Sequence, residues 1–422
     1  MNKKSPLSAF FSLFLSFVLL AFCLAVPVNT ELVWDIQVVD EDAGIGNCPI
    51  VVDANDNPHI AYKGYPLSSY ASWNGAGWNI QQLGTYGFVY DLVLDANGDP
   101  HITLGSLAYA KWKIRFWDMQ TVTTNNTVYS SLALDSSGKP HVAYSIGNEL
   151  KYASQNGSKW NIQTVDRLRE INFRVSLEID SNDTQYIMYS IPSSYVDDKG
   201  IATDSVNVML AVCKNSSWNI EHVLASSNFA EFGNMVLDSN DRPHFLATQG
   251  PFVNSENMVY VRDILHVSWD GSAWNIQTVA SNVTLANLGF LALGPDDNPH
   301  IVYHSRWPGG VMYTRWTGTT WESQTVDSDE EVTSQPVCYL AVDSTGNPHI
   351  TYLKIPPNTS FNSRRIHLMY ATANITKPAE ATPTPEITPT SPDAPLLIVS
   401  SAIIIGTVIA VTAYVWKKKR KH

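Results

Sequence analysis

The stretch SLALDSSGKPHVAYSIGNELKYASQNGSKWNIQTV, residues 131–165, contains the pattern that decides the fold. Apolar and polar residues alternate in four short runs, which are Ser131–Asp135, His141–Ser145, Leu150–Ser154 and Trp160–Val165. The runs are rich in Val, Ile, Tyr and Trp, and Asn, Asp and Gly separate them, which is typical of antiparallel strands joined by tight turns. The stretch is therefore predicted to be one unit of four strands.

Two phrases of this unit recur along the chain. An apolar run, an Asp turn and Pro-His occur together six times, and a seventh copy at residues 179–187 has Gln-Tyr in place of Pro-His. A phrase like WNIQTV occurs seven times and alternates with the first, with its tryptophan at Trp34, Trp78, Trp117, Trp160, Trp218, Trp274 and Trp321. Repeats of about 40 to 58 residues with four strands each predict the blades of a β-propeller.

The order of the phrases predicts how the ring closes. The Trp34 phrase precedes every Pro-His phrase, and the last unit, ending near Tyr370, has no tryptophan phrase after it. We expect the N-terminal strand at residues 32–39 to complete the last blade, which leaves no unpaired edge. The predicted fold class is all-β, a seven-bladed β-propeller of four-stranded blades over residues 31–373.

The turns before two fourth strands have the sequences SWNGAGW (72–78) and SWDGSAW (268–274). These turns resemble the Asp-box of sialidase-type repeats, Ser-x-Asp-x-Gly-x-x-Trp, shortened by one residue. Residues 31–373 are similar as a whole to sialidase-type (Asp-box-like) repeat β-propeller surface proteins of archaea and bacteria. The resemblance implies the propeller fold and no particular activity, because propellers host many unrelated functions.

Both ends of the chain predict export and membrane attachment. Lys3 and Lys4 precede an apolar run, so residues 1–25 are expected to be a signal peptide, with an uncleaved signal anchor as the alternative. Residues 396–416 contain no charge, and the basic tail 417–422 follows, which predicts one C-terminal transmembrane helix with the propeller outside the cell. The Thr/Pro-rich residues 377–395 are predicted to form a stalk.

The charge excludes one class of partner. The net charge is −12, and Lys3, Lys4 and the five cations of residues 417–421 contribute +7, so the segment between them has about −19. An acidic domain of this kind argues against nucleic acid as a partner. The oligomeric state does not follow from the sequence.

The repeated histidines raise the question of a metal. They are His59, His101, His141, His244, His300 and His349. Because each occupies the same place in its blade, they are predicted to lie on a wide circle instead of converging on one ion, and a structural role is expected. The Asp turns, such as residues 53–57 and 95–99, are interpreted as hairpin turns, with a weak Ca²⁺ site as the alternative because the acidic residue at loop position twelve is missing. No cofactor is predicted.

Two cysteines and several sequons are candidates for covalent modification. Cys48 and Cys338 each lie five residues before the Asp of their turn, in the first and last blades, where either a disulfide across the closure or two buried thiols is expected. The glycosylation candidates are Asn125, Asn156, Asn182, Asn215, Asn282, Asn358 and Asn374.

Long insertions predict the ligand-binding face. They occur at residues 191–207, 249–263 and 355–365, always between the second and third strands of a blade, so they share one face of the ring. We expect aromatic and charged residues near this face to bind the ligand, namely Tyr86, Tyr90, Arg169, Arg174, Phe232, Arg306, Trp307 and Arg364. No catalytic residue and no metal ligand is assigned.

Three functions agree with these features. The first is a membrane-anchored extracellular binding or adhesion propeller that recognises a glycan or a protein at the cell surface. The second is a structural envelope component without a specific ligand. The third, which we favour least, is a glycan-cleaving hydrolase or lyase, for which two facing carboxylates with shifted pKa values in a central pocket are expected.

Overall fold

The computed structural model describes residues 32–124, 129–168, 174–196, 202–224, 229–250, 261–306, 309–328, 338–356 and 366–375. The predicted signal peptide, stalk, transmembrane helix and basic tail lie outside these residues. In the described part of the chain every regular element is a β-strand, and no helix there is long and apolar enough to span a membrane.

Seven antiparallel sheets of four strands each form the blades, in agreement with the predicted architecture. The first six blades in chain order are β2(Ile50–Val52), β3(Pro58–Tyr62), β4(Ser69–Trp73), β5(Trp78–Gln82); β6(Val89–Leu94), β7(Pro100–Leu104), β8(Ala108–Lys113), β9(Phe116–Thr121); β10(Ser130–Leu134), β11(Pro140–Ile146), β12(Glu149–Asn156), β13(Lys159–Arg167); β14(Val175–Ile179), β15(Gln185–Val196), β16(Ala202–Lys214), β17(Ser217–Leu224); β18(Phe229–Leu237), β19(Pro243–Gln249), β20(Arg262–Trp269), β21(Trp274–Val283); and β22(Leu285–Leu293), β23(Pro299–Arg306), β24(Gly309–Trp316), β25(Trp321–Asp327). The predicted strands of blade three differ from the observed ones by one or two residues at each end.

The seventh blade combines the two ends of the propeller, as predicted. Its first three strands are β26(Tyr339–Val342), which is the inner strand, β27(Pro348–Lys354) and β28(Ile366–Ala373), and its outer strand is β1(Trp34–Ala43). Strand β1 pairs antiparallel with β28, with Trp34 opposite Ala373 and Gln37 opposite Tyr370. The outer strand thereby prevents the first and last blades from separating.

The repeated histidines connect three strands within a blade. In blade two, the hydroxyl of Tyr109 lies 2.7 Å from His101 Nδ1, and His101 Nε2 lies 3.4 Å from a carboxylate oxygen of Asp95. The Tyr109 ring then makes an edge-to-face contact with Trp160 of blade three, at a centroid distance of 5.4 Å. Burial lowers the pKa of His101 to about 4, so the ring is neutral and accepts a hydrogen bond from the tyrosine.

The same arrangement recurs with substitutions. His59, His141, His300 and His349 also contact a tyrosine hydroxyl of the third strand, whereas His244 contacts His266. Blade four has Tyr186 in the histidine position, and its hydroxyl donates to Asp180. These contacts give the repeated histidines a structural role, as the sequence predicts.

Neighbouring Asp turns are joined by a second contact, which we call the turn clasp. In four places a serine at the second position of one Asp turn donates its N–H and O–H to an aspartate at the fourth position of the next turn. Ser344 closes the ring in this way, with its N 2.8 Å and its Oγ 2.7 Å from the Asp56 carboxylate. The other clasps are Ser136–Asp183, Ser181–Asp241 and Ser239–Asp297.

At the remaining three junctions, the residue at the second position of one turn also predicts the residue at the fourth position of the next turn. Where the second residue cannot donate from a side chain, the fourth residue of the next turn is glycine, as in Ala54 with Gly98, Ala96 with Gly138 and Pro295 with Gly346. The fourth position has a positive φ in every blade, for example 61° at Asp56 and 80° at Gly98. Glycine adopts this conformation without strain, and aspartate is used where it gains the clasp.

We predict that removing the closing clasp destabilises the ring and that removing both partners does not add to the loss. Ser344→Ala removes the Oγ donor and leaves the Asp56 carboxylate with the backbone N–H alone, so it is expected to lower the free energy of unfolding by about 1 kcal/mol. The double variant with Asp56→Gly recreates the Ala–Gly junction and should lose less than the sum of the single changes. Urea denaturation measures both values.

Ser158→Ala is the matched control, because Ser158 lies exposed in a turn of blade three. It should change the free energy of unfolding by less than about 0.5 kcal/mol. Strictly additive losses in the double variant would show that the clasp has no energetic coupling.

Candidate functional site

The antiparallel order of strands separates the connections into two faces. The turns from first to second strand and from third to fourth strand lie on one face, which we call the Asp-turn face. The connections from second to third strand and from fourth strand to the next blade lie on the other, the insertion face. On this face β15 and β16 form the longest hairpin of the described structure, with Val196 paired to Ala202. The other two predicted insertions fall largely on residues outside the described ranges.

A cavity of about 640 Å³ lies where the seven inner strands meet. Its lining includes Tyr90 and Arg174. Both lie near the insertion face, because Tyr90 is the second residue of β6 and Arg174 directly precedes β14. Toward the Asp-turn face the lining is aliphatic, with Val52, Leu94, Leu134, Ile179, Leu293 and Val342 at the ends of the strands. The cavity therefore has a polar end and an apolar end.

Polar side chains around the cavity join the inner strands of consecutive blades at four junctions, from blade two to blade six. Asp91 accepts hydrogen bonds from Ser131 Oγ at 3.1 Å and from Leu132 N at 2.8 Å in blade three. At the corresponding positions, Ser131 accepts from the backbone of blade four, Ser176 from that of blade five, and Asn234 exchanges two bonds with Leu291 of blade six. These side chains satisfy backbone groups that the short inner strands leave unpaired.

Glu178 differs from every other residue at its repeat position. Two residues before the first residue of the Asp turn, the other blades have valine or alanine, at Val51, Val93, Ala133, Val236, Ala292 and Ala341. All seven residues line the cavity. Enclosure by the ring, with a smaller contribution from the Asp91 charge, raises the pKa of Glu178 to about 8. The carboxyl makes no hydrogen bond or ion pair with any residue that the structure describes.

Asp91 is the second acid of the cavity, and its surroundings give it a different role. Burial raises the pKa of Asp91 to about 6, while hydrogen bonds from Leu132, Leu92 and Ser131 oppose the shift. Both carboxylate oxygens accept hydrogen bonds, because Leu92 N lies 2.9 Å from the second oxygen. A hydrolase needs two carboxyls available to the substrate. Of the described acids in the cavity lining, Glu178 alone is uncommitted.

An exposed aromatic cluster lies on the insertion face of blades one and two. Tyr86 and Phe88 are 57% and 50% exposed, and Tyr65 is 60% exposed. The Lys63 ammonium lies 5.0 Å from the Tyr86 ring centroid and 4.4 Å from that of Phe88, so it is a cation–π partner of both rings. Exposed aromatic rings next to a cation form a surface that can stack on a sugar or an apolar side chain.

The predicted ligand-binding residues are distributed over three environments. Tyr86 belongs to the exposed cluster, and Tyr90 and Arg174 line the cavity. Phe232 was expected near the ligand-binding face, but its side chain is 1% exposed and packs against Phe245 in the core between blades. Arg169, Trp307 and Arg364 lie outside the described residues, as does the side chain of Arg306.

The sequence interpretation missed Tyr65, Lys63 and Glu178. Tyr65 and Lys63 lie in a short connection with no repeat signal, and only the folded ring places Lys63 beside Tyr86. Glu178 had a signal, because an alignment of the inner strands shows one acid among valines and alanines.

The candidates for modification are placed as follows. Cys48 and Cys338 are buried thiols in the structure, in the first and last blades, and the disulfide stays a prediction. Burial raises the pKa of Cys48 to about 12. Exposed sequons are Asn156, Asn182, Asn215, Asn282 and Asn374, while Asn125 and Asn358 lie outside the described residues. The described residues contain no group of three or more potential metal ligands, and calcium binding by the Asp turns stays a prediction.

We predict that Glu178 destabilises the propeller, increasingly so at alkaline pH. Because its pKa is about 8 in the folded protein and about 4.5 in the unfolded chain, the folded state binds the proton more tightly, so Glu178 lowers stability as the pH rises between these values. Glu178→Ala matches the alanines of other blades and should be more stable than the wild type by about 1–3 kcal/mol at pH 9, allowing for water in the cavity. Urea denaturation at pH 4.5 and pH 9 tests this.

The difference between Glu178→Ala and the wild type should be small at pH 4.5. Glu221→Gln, on the exposed outer strand of the same blade, should show no such dependence. An advantage of Glu178→Ala that is equal at both pH values would contradict the assignment.

Comparison with solved structures agrees with the fold. No protein-family model and no curated protein sequence matches the chain, so the sequence comparisons give no support for a sialidase-type family. The chain is similar to a PL25 ulvan lyase, with a TM-score of 0.54 and 13% identity over 79% of this chain and 95% of that one. It is similar to virginiamycin B lyase from Staphylococcus aureus, with a TM-score of 0.54 and 10% identity over 81% of this chain and 99% of that one. It is also similar to YCF48 bound to D1 peptide, with a TM-score of 0.50 and 11% identity over 83% of this chain and 98% of that one. At these identities the likeness shows a β-propeller fold alone.

Proposed function

We propose that this chain is a cell-surface binding protein whose insertion face recognises a glycan or a protein. The observation that carries the proposal is the exposed pair Tyr86 and Phe88 around Lys63, together with exposed Tyr65 in the same connection as Lys63. Three large aromatic side chains exposed on one face cost solvation free energy and are retained in proteins chiefly where a partner covers them. A structural spacer without a ligand has no need of such a cluster.

The cavity supports binding over catalysis. Its two acids differ, with Asp91 committed to the junction between blades and Glu178 alone available. Solved propellers similar in fold include both lyases and a peptide complex, so fold by itself favours neither class. The resemblance of the turns to sialidase-type repeats of archaeal and bacterial surface proteins belongs to the same proposal.

Membrane attachment is the second part of the proposal. It rests on the uncharged residues 396–416 and the basic tail 417–422, and the signal peptide rests on residues 1–25. The chain leaves the propeller at Ile375, whose N–H donates to Asn347 of the last Asp turn at 2.8 Å.

We predict that the aromatic cluster dominates ligand binding. The full chain, in detergent, is screened against arrays of glycans and of purified cell-surface proteins, and a ligand found there is titrated by calorimetry. The double variant Tyr86→Ala with Phe88→Ala should weaken its binding at least tenfold, because each stacked ring contributes about 1 kcal/mol or more.

The matched control is the double variant Ile114→Ala with Phe116→Ala. These residues are 89% and 59% exposed in a turn of the Asp-turn face. The control should change affinity less than twofold. Equal losses in the two double variants, or a loss in neither, would refute a binding role for the insertion face, and an empty screen would favour the structural envelope component.

A further inference from the structure

Glu178 combines three properties that no other described cavity residue shares. It replaces a valine or alanine of the repeat, it makes no hydrogen bond or ion pair with the described residues, and it faces a cavity of about 640 Å³. Holding a carboxyl without a partner in a partly enclosed cavity costs solvation free energy, and alanine is tolerated at the same place in three other blades. A residue that costs stability and contributes no contact indicates a binding role.

Among the described residues, no cation forms an ion pair with Glu178. Arg174 begins the same inner-strand segment four residues earlier, which along an extended strand corresponds to about 13 Å. Arg174 instead influences Tyr339, whose pKa burial raises and the arginine charge lowers. Asp91 adds negative charge and uses its oxygens within the junction of blades two and three. Within the described part of the chain, the Glu178 carboxylate in the cavity thus has no counter-ion.

The lining selects the kind of cation. Calcium and magnesium need six or more oxygen ligands, and the residues in the ring around Glu178 are aliphatic. An alkyl chain, in contrast, gains from contact with valine and alanine side chains while its charged end meets the carboxylate. The aromatic pair Phe290 and Tyr339, whose ring centroids are 4.0 Å apart, also lines the cavity.

We propose that the central cavity binds an alkylammonium or alkylguanidinium group, such as the end of a lysine or arginine side chain, with Glu178 as its counter-ion. This inference rests on the proposed binding function and specifies the chemical class that the cavity accepts. The cation enters from the insertion face, where the aromatic cluster contacts the remainder of the ligand.

Calorimetry with small probes tests the site separately from the aromatic cluster. The full chain is titrated at pH 8.5 with n-butylguanidinium and n-butylammonium chloride, and with n-butanol as a neutral probe of the same chain length. The two cations should bind at least tenfold more tightly than n-butanol to the wild type. Glu178→Gln and Glu178→Ala should abolish this preference, and Glu221→Gln should retain it.

Two outcomes would overturn the proposal. Cation binding that is unchanged in Glu178→Gln would show that another group holds the charge, and an equal loss in Glu221→Gln would show a general effect of net charge. Since Glu178→Ala follows the repeat consensus, it should fold and so report on binding. The Tyr86→Ala and Phe88→Ala double variant should keep cation affinity within twofold, which distinguishes failure of this site from failure of the insertion-face proposal.

Discussion

Pairing of β1 with β28 is the constraint on which the remaining structure depends. Neighbouring blades are joined by packed side chains and by the hydrogen bonds of the turn clasps and inner strands, so the ring has two ends until the outer strand from the N-terminal part of the chain joins the last blade. The clasp from Ser344 to Asp56 and the bond from Thr351 Oγ1 to the Cys48 carbonyl, 2.6 Å long, join the same two blades from the Asp turns and the inner strands. Closure fixes the diameter of the central cavity and aligns the loops on one face.

The ring also explains why repeated residues are so different in exposure. Within a blade the polar atoms of the aspartate, histidine and tyrosine form hydrogen bonds that join strands, and the tryptophan of the next blade covers the tyrosine ring. Side chains able to bind a ligand are therefore expected where a blade departs from the repeat consensus. Glu178 in the cavity and the cluster of Tyr86, Phe88 and Lys63 at the insertion face are such departures.

The two departures have complementary physical characters. The exposed cluster is aromatic and close to a lysine, so it favours stacking on an extended ligand. The cavity residue is anionic in an apolar ring, so it favours a single cation with an apolar stem. A ligand that satisfies both has a body on the insertion face and a basic group directed along the axis.

The sequence by itself determined the number of blades, the four strands of each and the closure, because alternating patterns and a repeated turn are local properties that the backbone must obey. It also predicted the structural role of the repeated histidines, from the symmetry of their positions. It did not determine which loop residues become exposed or meet in space. Phe232 was expected at the ligand face and is buried, because its neighbour in the next strand covers it, while Lys63 approaches Tyr86 only through the packing of two blades. Those outcomes depend on contacts between segments distant in the chain, which only the closed ring decides.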